Sequence, residues 1–474
     1  MEEDRSSKER DQNFPEITIT VLDALECELS TIDAQIIKPT LTFKKVWWQK
    51  GRFSMKEQEY DSYKFTFKGK DVWRFHTGLL PRVKRWCEEN QIKCNVIAPD
   101  LPEPLYEETS AAGNFTLRDD QLTLIRKITC HKRGIIKAPT GSGKTVLQMG
   151  IIDWYYDANI LLLAHTAGII SQTAKKIQDH GINVQQIGAG EPIPPNFLPN
   201  HIVIATRQSF VKMKVEPDYF DIVLVDEAHH AVKENSQYAG ILKNLLAPIR
   251  IGFTATPPED PAKILTYEGL LGPIIGELTI QRAVELGILA KPKVKLIKLG
   301  LDKSVKRLKN WADVYESGIV ENAEQNDKTI EIVNEYAKRG ETSLIFVVKR
   351  VHSEYLYRIA QNFPHTKDKT HIVRGGVDYN LREEIRTLFN KKKVLCVIST
   401  VAWKEGIDVP SLDCVINAGG GKDDTGTKQL IGRGLRKTDE KEEVVIYDFF
   451  NPSHRYLIEH FGFRVSLYME NNWL

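Results

Sequence analysis

Nine residues, KAPTGSGKT at positions 137–145, constrain the fold more than any other part of the chain. Ile135 and Ile136 before them read as the end of a buried strand, and VLQMGIIDW after them has helical periodicity. A strand, a glycine-bearing loop and a helix in that order begin a βαβ unit, which predicts a parallel sheet covered by helices. The glycines let backbone N–H groups turn inward, and the helix N-terminus adds its positive dipole end, so the loop reads as a phosphate cradle. Pro139, Thr140, Gly141, Ser142 and Gly143 form its rim. Lys144 is expected to reach the β- and γ-phosphates, and the Thr145 hydroxyl to ligate Mg²⁺. Ala138 stands where the GxxxxGK[ST] pattern has its first glycine, so a plain Gly-rich turn stays open until a second motif is found.

That motif lies about eighty residues on, a spacing that suits one nucleotide-binding sheet. Phe220 to His230 reads FDIVLVDEAHH, an apolar run of strand length ending in two acids. Asp226 falls where a Mg²⁺ ligand belongs and Glu227 where a base polarises the attacking water. Solvated acids at a strand end are the bland alternative, a poor one beside the upstream loop. Together the two motifs imply hydrolysis of a nucleoside triphosphate.

At 474 residues the chain has room for about three domains. Runs such as Ile160 to Ala164 are far too short to cross a bilayer. The charged start MEEDRSSKERDQ has no apolar signal core, so a cytoplasmic protein without a membrane partner is expected. Six scattered cysteines form no CxxC pair and no zinc spacing, and read as reduced thiols. The expected fold class is α/β: a polar tail over 1–14, a small α+β N-terminal domain over 15–110, parallel-sheet blocks over 111–296 and 297–455, and a C-terminal extension over 456–474. The runs GIIKA, NILLLAH, HIVIATR, DIVLVDE and RIGFTAT predict strands of the first block. SLIFVV, THIVRG, VLCVIST and CVINAG predict strands of the second.

Residues 394–410 read VLCVISTVAWKEGIDVP, 428–437 read KQLIGRGLRK, and 254–257 read TATP. With the two motifs above, these resemble the superfamily 2 helicases and translocases over roughly 112–455. The resemblance implies two RecA-like domains in tandem that clamp one ATP with Mg²⁺. It assigns Arg118 and Gln121 of TLRDDQ to the adenine, and Gly406 and Asp408 to the motif joining nucleotide to nucleic acid. Gln429, Arg433 and Arg436 form the QxxGRxxR set, and Arg436 is the first choice for the arginine finger. Such an arginine neutralises charge on the separating γ-phosphate, a contribution of roughly 10³–10⁵-fold. Pairing with Glu227 or Asp408 is the alternative for either arginine. His229, Thr254 and Thr256 look like couplers. Nucleic acid would meet His165, Thr166, Thr206, Gln208, Arg374, Gly375 and Thr400, mainly through phosphates; a strand-end cap is the alternative for any single Thr.

DEAH, TAT and QLIGRGLR stand where a DEAD-box RNA helicase would show DEAD, SAT and HRxGRxxR. The pattern is closer to DNA-directed members and resembles the phage UvsW-like branch-migration helicases, in the neighbourhood of XPB and RecG. That resemblance implies remodelling of branched or forked DNA in replication, recombination or repair. A motor subunit of a restriction or repair assembly, with an N-terminal domain that docks a protein, and an RNA helicase are the alternatives.

Between Lys38 and Lys93 stand 14 Lys or Arg against 6 Asp or Glu, with Trp47, Trp48, Trp73 and Trp86 among them. Cations interleaved with aromatics suit phosphates and splayed bases. Lys44, Lys45, Trp47, Trp48, Lys50 and Arg52 are the candidates, while Trp73 and Phe75 in an alternating strand read as core. Trp47 and Trp48 are adjacent, so on a strand one of them faces outward.

Overall fold

A computed structural model describes residues 15–50, 55–64, 66–68, 71–104, 115–165, 167–188, 202–232, 236–374, 379–400, 412–422 and 443–474, with the backbone alone at 45–50, 55–61, 63, 66–68, 167, 232 and 379–380. The expected tail over 1–14 lies outside the described residues. So do Arg52, Thr166, Gly375, Gly406, Asp408, Gln429, Arg433 and Arg436. The chain divides into two compact units, Met1–Ile136 with Val146–Gly276, and Lys137–Thr145 with Glu277–Leu474.

The first unit opens with strands β1 (Glu16–Val21), β2 (Glu26–Ser30), β5 (Thr66–Lys68), β6 (Val72–His76) and β7 (Lys93–Ile97), ordered β5-β6-β2-β1-β7 in one mixed sheet. β1 and β7 run parallel and the other pairs antiparallel. Strands β3 (Thr42–Lys50) and β4 (Met55–Tyr63) form a separate antiparallel ribbon, in register from Thr42 opposite Tyr63 to Lys50 opposite Met55. Alternation in ITI and CEL buries Ile17, Ile19, Cys27 and Leu29 on one face, against Leu79 and, on the amphipathic helix Leu80–Glu89 that follows it, Val83 and Cys87.

This small core is not closed by the N-terminal residues alone. Leu265, on the helix Pro261–Leu271 far along the chain, packs into it. Arg82 grips Glu268 on the same helix through two hydrogen bonds of 2.6 and 3.0 Å. Gly78 lies so close to that helix that a Cβ would fall on the carbonyl oxygens of Glu268 and Gly269, the second at 2.6 Å. Backbone cannot yield as a flexible side chain does, so Gly78→Ala is expected to cost about 1–3 kcal/mol. Thermal unfolding checks this; an unchanged midpoint would show that the close approach does not exist.

Seven strands follow: β8 (Arg133–Lys137), β9 (Ile160–Ala164), β10 (Gln185–Ile187), β11 (Ile202–Thr206), β12 (Ile222–Val225), β13 (Ile249–Thr254) and β14 (Ile274–Glu277). Their order in one sheet is β10-β11-β9-β12-β13-β8-β14. β9, β11, β12 and β13 are buried from end to end, as near-continuous Ile/Val/Leu runs covered on both faces require.

The second unit holds β15 (Lys291–Lys298), β16 (Thr342–Phe346), β17 (Thr370–Val373), β18 (Cys396–Ser399), β19 (Leu412–Asn417) and β20 (Glu443–Phe450), ordered β15-β20-β19-β16-β18-β17, all pairs parallel. Its sheet therefore begins at Lys291, ahead of the boundary expected at 297. The C-terminal helix Arg455–Glu470 is part of this core rather than an extension. Its Arg464 donates twice to buried Asp448 of β20, at 2.7 and 3.0 Å, and Tyr468 donates a third bond at 2.7 Å. Among the described residues no helix is long and apolar enough to cross a membrane.

Candidate nucleotide and nucleic-acid site

Five of the first-block motifs leave the carboxyl ends of strands in one sheet. The phosphate loop follows β8, His165 follows β9, Thr206 ends β11, Asp226 follows β12 and Thr254 ends β13. Register holds neighbouring ends level: Thr206 pairs with Ala164, and Val225 pairs with both Leu163 and Gly252. Parallel sheets bind ligands at this edge. The strand order β11-β9-β12-β13-β8 sets the DEAH turn between the strands of the nucleic-acid motifs and those of the nucleotide motifs.

In the phosphate loop Gly141 and Gly143 have φ of 83° and 96°, a region costly for residues with a Cβ. Ala138 is not among the residues of positive φ, which explains why the first glycine of the pattern is dispensable here. Ser142 Oγ donates to the Pro139 carbonyl at 2.7 Å and braces the loop. Lys144 Nζ donates to the carbonyls of Ala138 at 3.2 Å and Pro139 at 3.4 Å. The ammonium therefore rests on neutral acceptors that an anionic phosphate would outcompete.

The DEAH turn is held more tightly. Asp226 N donates to the Leu163 carbonyl at 2.8 Å, and Glu227 turns the chain with φ of 47°. A left-handed non-glycine residue costs on the order of 1–3 kcal/mol and persists where its surroundings over-determine it. Two constraints are visible. The Glu227 carbonyl accepts from His230 N at 3.1 Å, and Gly252 on β13 leaves room for Ala228, whose Cβ would stand 2.9 Å from a Cβ there. Glu227 Oε2 is buried, with no hydrogen-bond partner among the described residues, and lies 3.4 Å from His229 Nδ1. That nitrogen is 3.0 Å from Thr254 Oγ1, which accepts from Thr256 N at 3.1 Å. Burial, and next the charge of Glu227, push the Tyr267 phenol well above its ordinary pKa. The buried Glu227 Oε2 and Thr256 Oγ1, both unbonded among the described residues, fit a site completed by nucleotide, water and a hydrated Mg²⁺.

Arg118 and Gln121 sit together at the start of the helix Asp119–His131. Arg118 is committed to Asp120 through two bonds of 2.9 and 3.0 Å. Gln121 Oε1 accepts from Arg118 N at 3.1 Å, a capping box on the helix Asp119–His131. Gln121 Nε2 is buried without a partner among the described residues, so it is left to address a base.

Of the nucleic-acid candidates, Gln208 is exposed and His165 half-buried. Thr206 and Thr400 are buried, and Thr206 Oγ1 accepts from Ser209 N at 3.2 Å as the cap of the turn Arg207–Phe210. Arg374 is paired with Glu354 at 2.6 Å. Sequence reading passed over Arg207 and His230. Their only signal was position, one inside ATRQS and the other after DEAH.

The charge of the N-terminal domain is also redistributed. Residues 15–37 and 94–110 add nine acids and no Lys or Arg, so 15–110 carries 14 basic against 15 acidic residues. Arg74 is taken up by Glu26 and Glu28, and Lys93 by Glu16. Trp73 and Trp86 pack on the core, as Phe75 does. Lys84 and Arg85 on the helix Leu80–Glu89 are exposed. Lys44 is exposed on the β3–β4 ribbon, and Trp47 and Trp48 stand opposite Gln58 and Glu57.

The family description "Type III restriction enzyme, res subunit" matches residues 114–259, and "Helicase conserved C-terminal domain" matches 324–438. The chain belongs to superfamily 2 of the helicases and translocases. It is 28% identical over 441 residues to the DNA 3'-5' translocase XPB2 of Sulfurisphaera tokodaii, covering 81% of this chain and 93% of the relative. It is 26% identical over 399 residues to the ATP-dependent DNA helicase uvsW of Enterobacteria phage T4, covering 79% and 78%. Among solved structures, the helicase MrfA bound to DNA and AMPPNP shares the fold at a TM-score of 0.57 and 18% identity, over 79% of this chain and 54% of that one. Superfamily membership makes this chain an ATP-driven motor enzyme with two RecA-like domains.

Proposed function

We propose that this superfamily 2 motor translocates on DNA and remodels forks and junctions, and that the carboxyl edge of the first RecA-like sheet is its engine. The observation that carries the reading is the convergence of phosphate loop, DEAH turn, TAT segment and two nucleic-acid motifs on adjacent strand ends. Lys144 holds the β- and γ-phosphates, Thr145 and Asp226 hold Mg²⁺, and Glu227 takes the proton of the attacking water. Arg436, with Arg433 beside it in sequence, supplies positive charge to the γ-phosphate. His229 and Thr254 tie the base to the TAT segment. The similarity to a DNA translocase and a phage DNA helicase supports DNA as the track.

ATP hydrolysis measured with single-stranded, duplex, forked and four-way DNA, and with RNA, tests this. Forked or four-way DNA should stimulate most. Stimulation by RNA alone would overturn the DNA assignment, and equal stimulation by all DNAs would overturn the branched preference.

The β3–β4 ribbon is the element proposed to read the branch. Deleting 15–110 is a poor test, because it strips the cover from Leu265 and leaves Glu268 without Arg82. Charge reversal in the intact chain avoids this. Lys44→Glu with Lys45→Glu, Lys50→Glu and Arg52→Glu should weaken junction binding and flatten its salt dependence, by a log–log slope of about 0.9 for each phosphate no longer neutralised. Binding isotherms at several salt concentrations read both. Unchanged affinity and slope would leave the ribbon as a protein-docking element.

A further inference from the structure

A row of side chains crosses the carboxyl edge of the first RecA-like sheet from the nucleic-acid side to the base. Arg207, just past β11, lies with Nη1 2.5 Å from His165 Nδ1, just past β9. His165 stacks on His230 with centroids 3.9 Å apart and planes 11° from parallel. His230 meets His229 at 4.2 Å, and His229 Nδ1 lies between Thr254 Oγ1 and Glu227 Oε2. Tyr238 backs the row, nearly parallel to His230 at 6.4 Å and 5.6 Å beneath the Arg207 guanidinium. The strands that carry these groups, β11, β9, β12 and β13, are consecutive neighbours in the sheet.

We infer that His230 is a positioning residue that transmits nucleic-acid binding at His165 and Arg207 to the catalytic carboxylate of Glu227. This rests on the proposed roles of Glu227 and of the β9 and β11 ends. Arginine only donates, so His165 Nδ1 accepts and the neutral ring carries its proton on Nε2. A phosphate drawn to that edge competes for the Arg207 guanidinium and alters the hold on His165. Close-packed rings have no slack, so a displaced His165 displaces His230. The amide of His230 is bonded to the Glu227 carbonyl at 3.1 Å, and Glu227 sits in a left-handed conformation that its neighbours impose. A small movement of the turn therefore moves the carboxylate. A plain packing role for His230 would predict something else: loss of stability, with basal and stimulated hydrolysis falling together.

The test is ATP hydrolysis by the full chain, with and without saturating forked DNA. His230→Ala should keep the basal rate and the KM for ATP and lose about tenfold in stimulation, within the usual range of coupling between sites. His230→Phe keeps a flat ring in the stack and should retain most of the stimulation. In the pair His165→Ala with His230→Ala, the loss of stimulation should be no larger than for the worse single change, because one row is broken once. Full stimulation in His230→Ala, equal loss in His230→Phe, or additive losses in the double variant would each overturn the inference. So would a proportional fall of the basal and stimulated rates. If nucleic acid fails to stimulate the wild type, or Glu227→Gln still turns over, the underlying site reading fails with it. A stimulated wild type beside a stimulated His230→Ala sinks the row alone.

Discussion

Glu227→Gln should bind ATP as the wild type does and hydrolyse almost none of it. The amide keeps the size and shape of the carboxylate but cannot take a proton, so the loss is that of general-base catalysis, about 10²–10⁴-fold in kcat. Two features make the effect large. The backbone of Glu227 is held at φ of 47°, which fixes the direction of the side chain, and its Oε2 is buried with no hydrogen-bond partner among the described residues. An unbonded buried carboxylate oxygen is available to a water, and a Gln there offers an acceptor without basicity. Equilibrium binding of a fluorescent ATP analogue, set beside steady-state hydrolysis, separates the two steps. Lys144→Ala should differ by weakening the hold on the triphosphate as well as ending turnover. Hydrolysis at the wild-type rate in either variant would remove the residue from the site.

Arg436→Ala should lower DNA-stimulated kcat by about 10³-fold or more, while affinity for ATP changes far less. The reason lies in the reaction. Charge moves onto the leaving and transferring oxygens only as the γ-phosphate separates, so a guanidinium placed there stabilises the transition state more than the bound nucleotide. Arg433→Ala is the comparison, since both belong to QLIGRGLRK. An unchanged kcat with a raised KM in Arg436→Ala would mark it as a binding residue and pass the finger to Arg433.

Much of the motor was legible in the sequence because its determinants are local. A buried parallel strand is a short Ile/Val/Leu run, and ILLLA, IVIAT and IVLV are strands in the structure. Gly141 and Gly143 stand where φ must be positive, a requirement of the loop itself. The DEAH pair follows its strand directly, so the place of Asp226 and Glu227 at the sheet's edge comes with the strand.

What the sequence could not express is which distant residues meet. The charge surplus of the 38–93 window shrinks in the fold because Arg74, Lys93 and Arg82 find acids at Glu26 and Glu28, Glu16 and Glu268, all outside that window. The N-terminal core needs Leu265, whose approach depends on Gly78 lacking a side chain that a backbone more than 180 residues away would strike. That the Gln121 oxygen caps its own helix, leaving Nε2 without a partner among the described residues, is likewise a matter of tertiary geometry. His230 is one more histidine in DEAHH when read along the chain. Only the order β11-β9-β12-β13 brings His165 against its ring and Arg207 behind that, because lateral neighbours in a parallel sheet are set by crossover connections and not by adjacency in sequence.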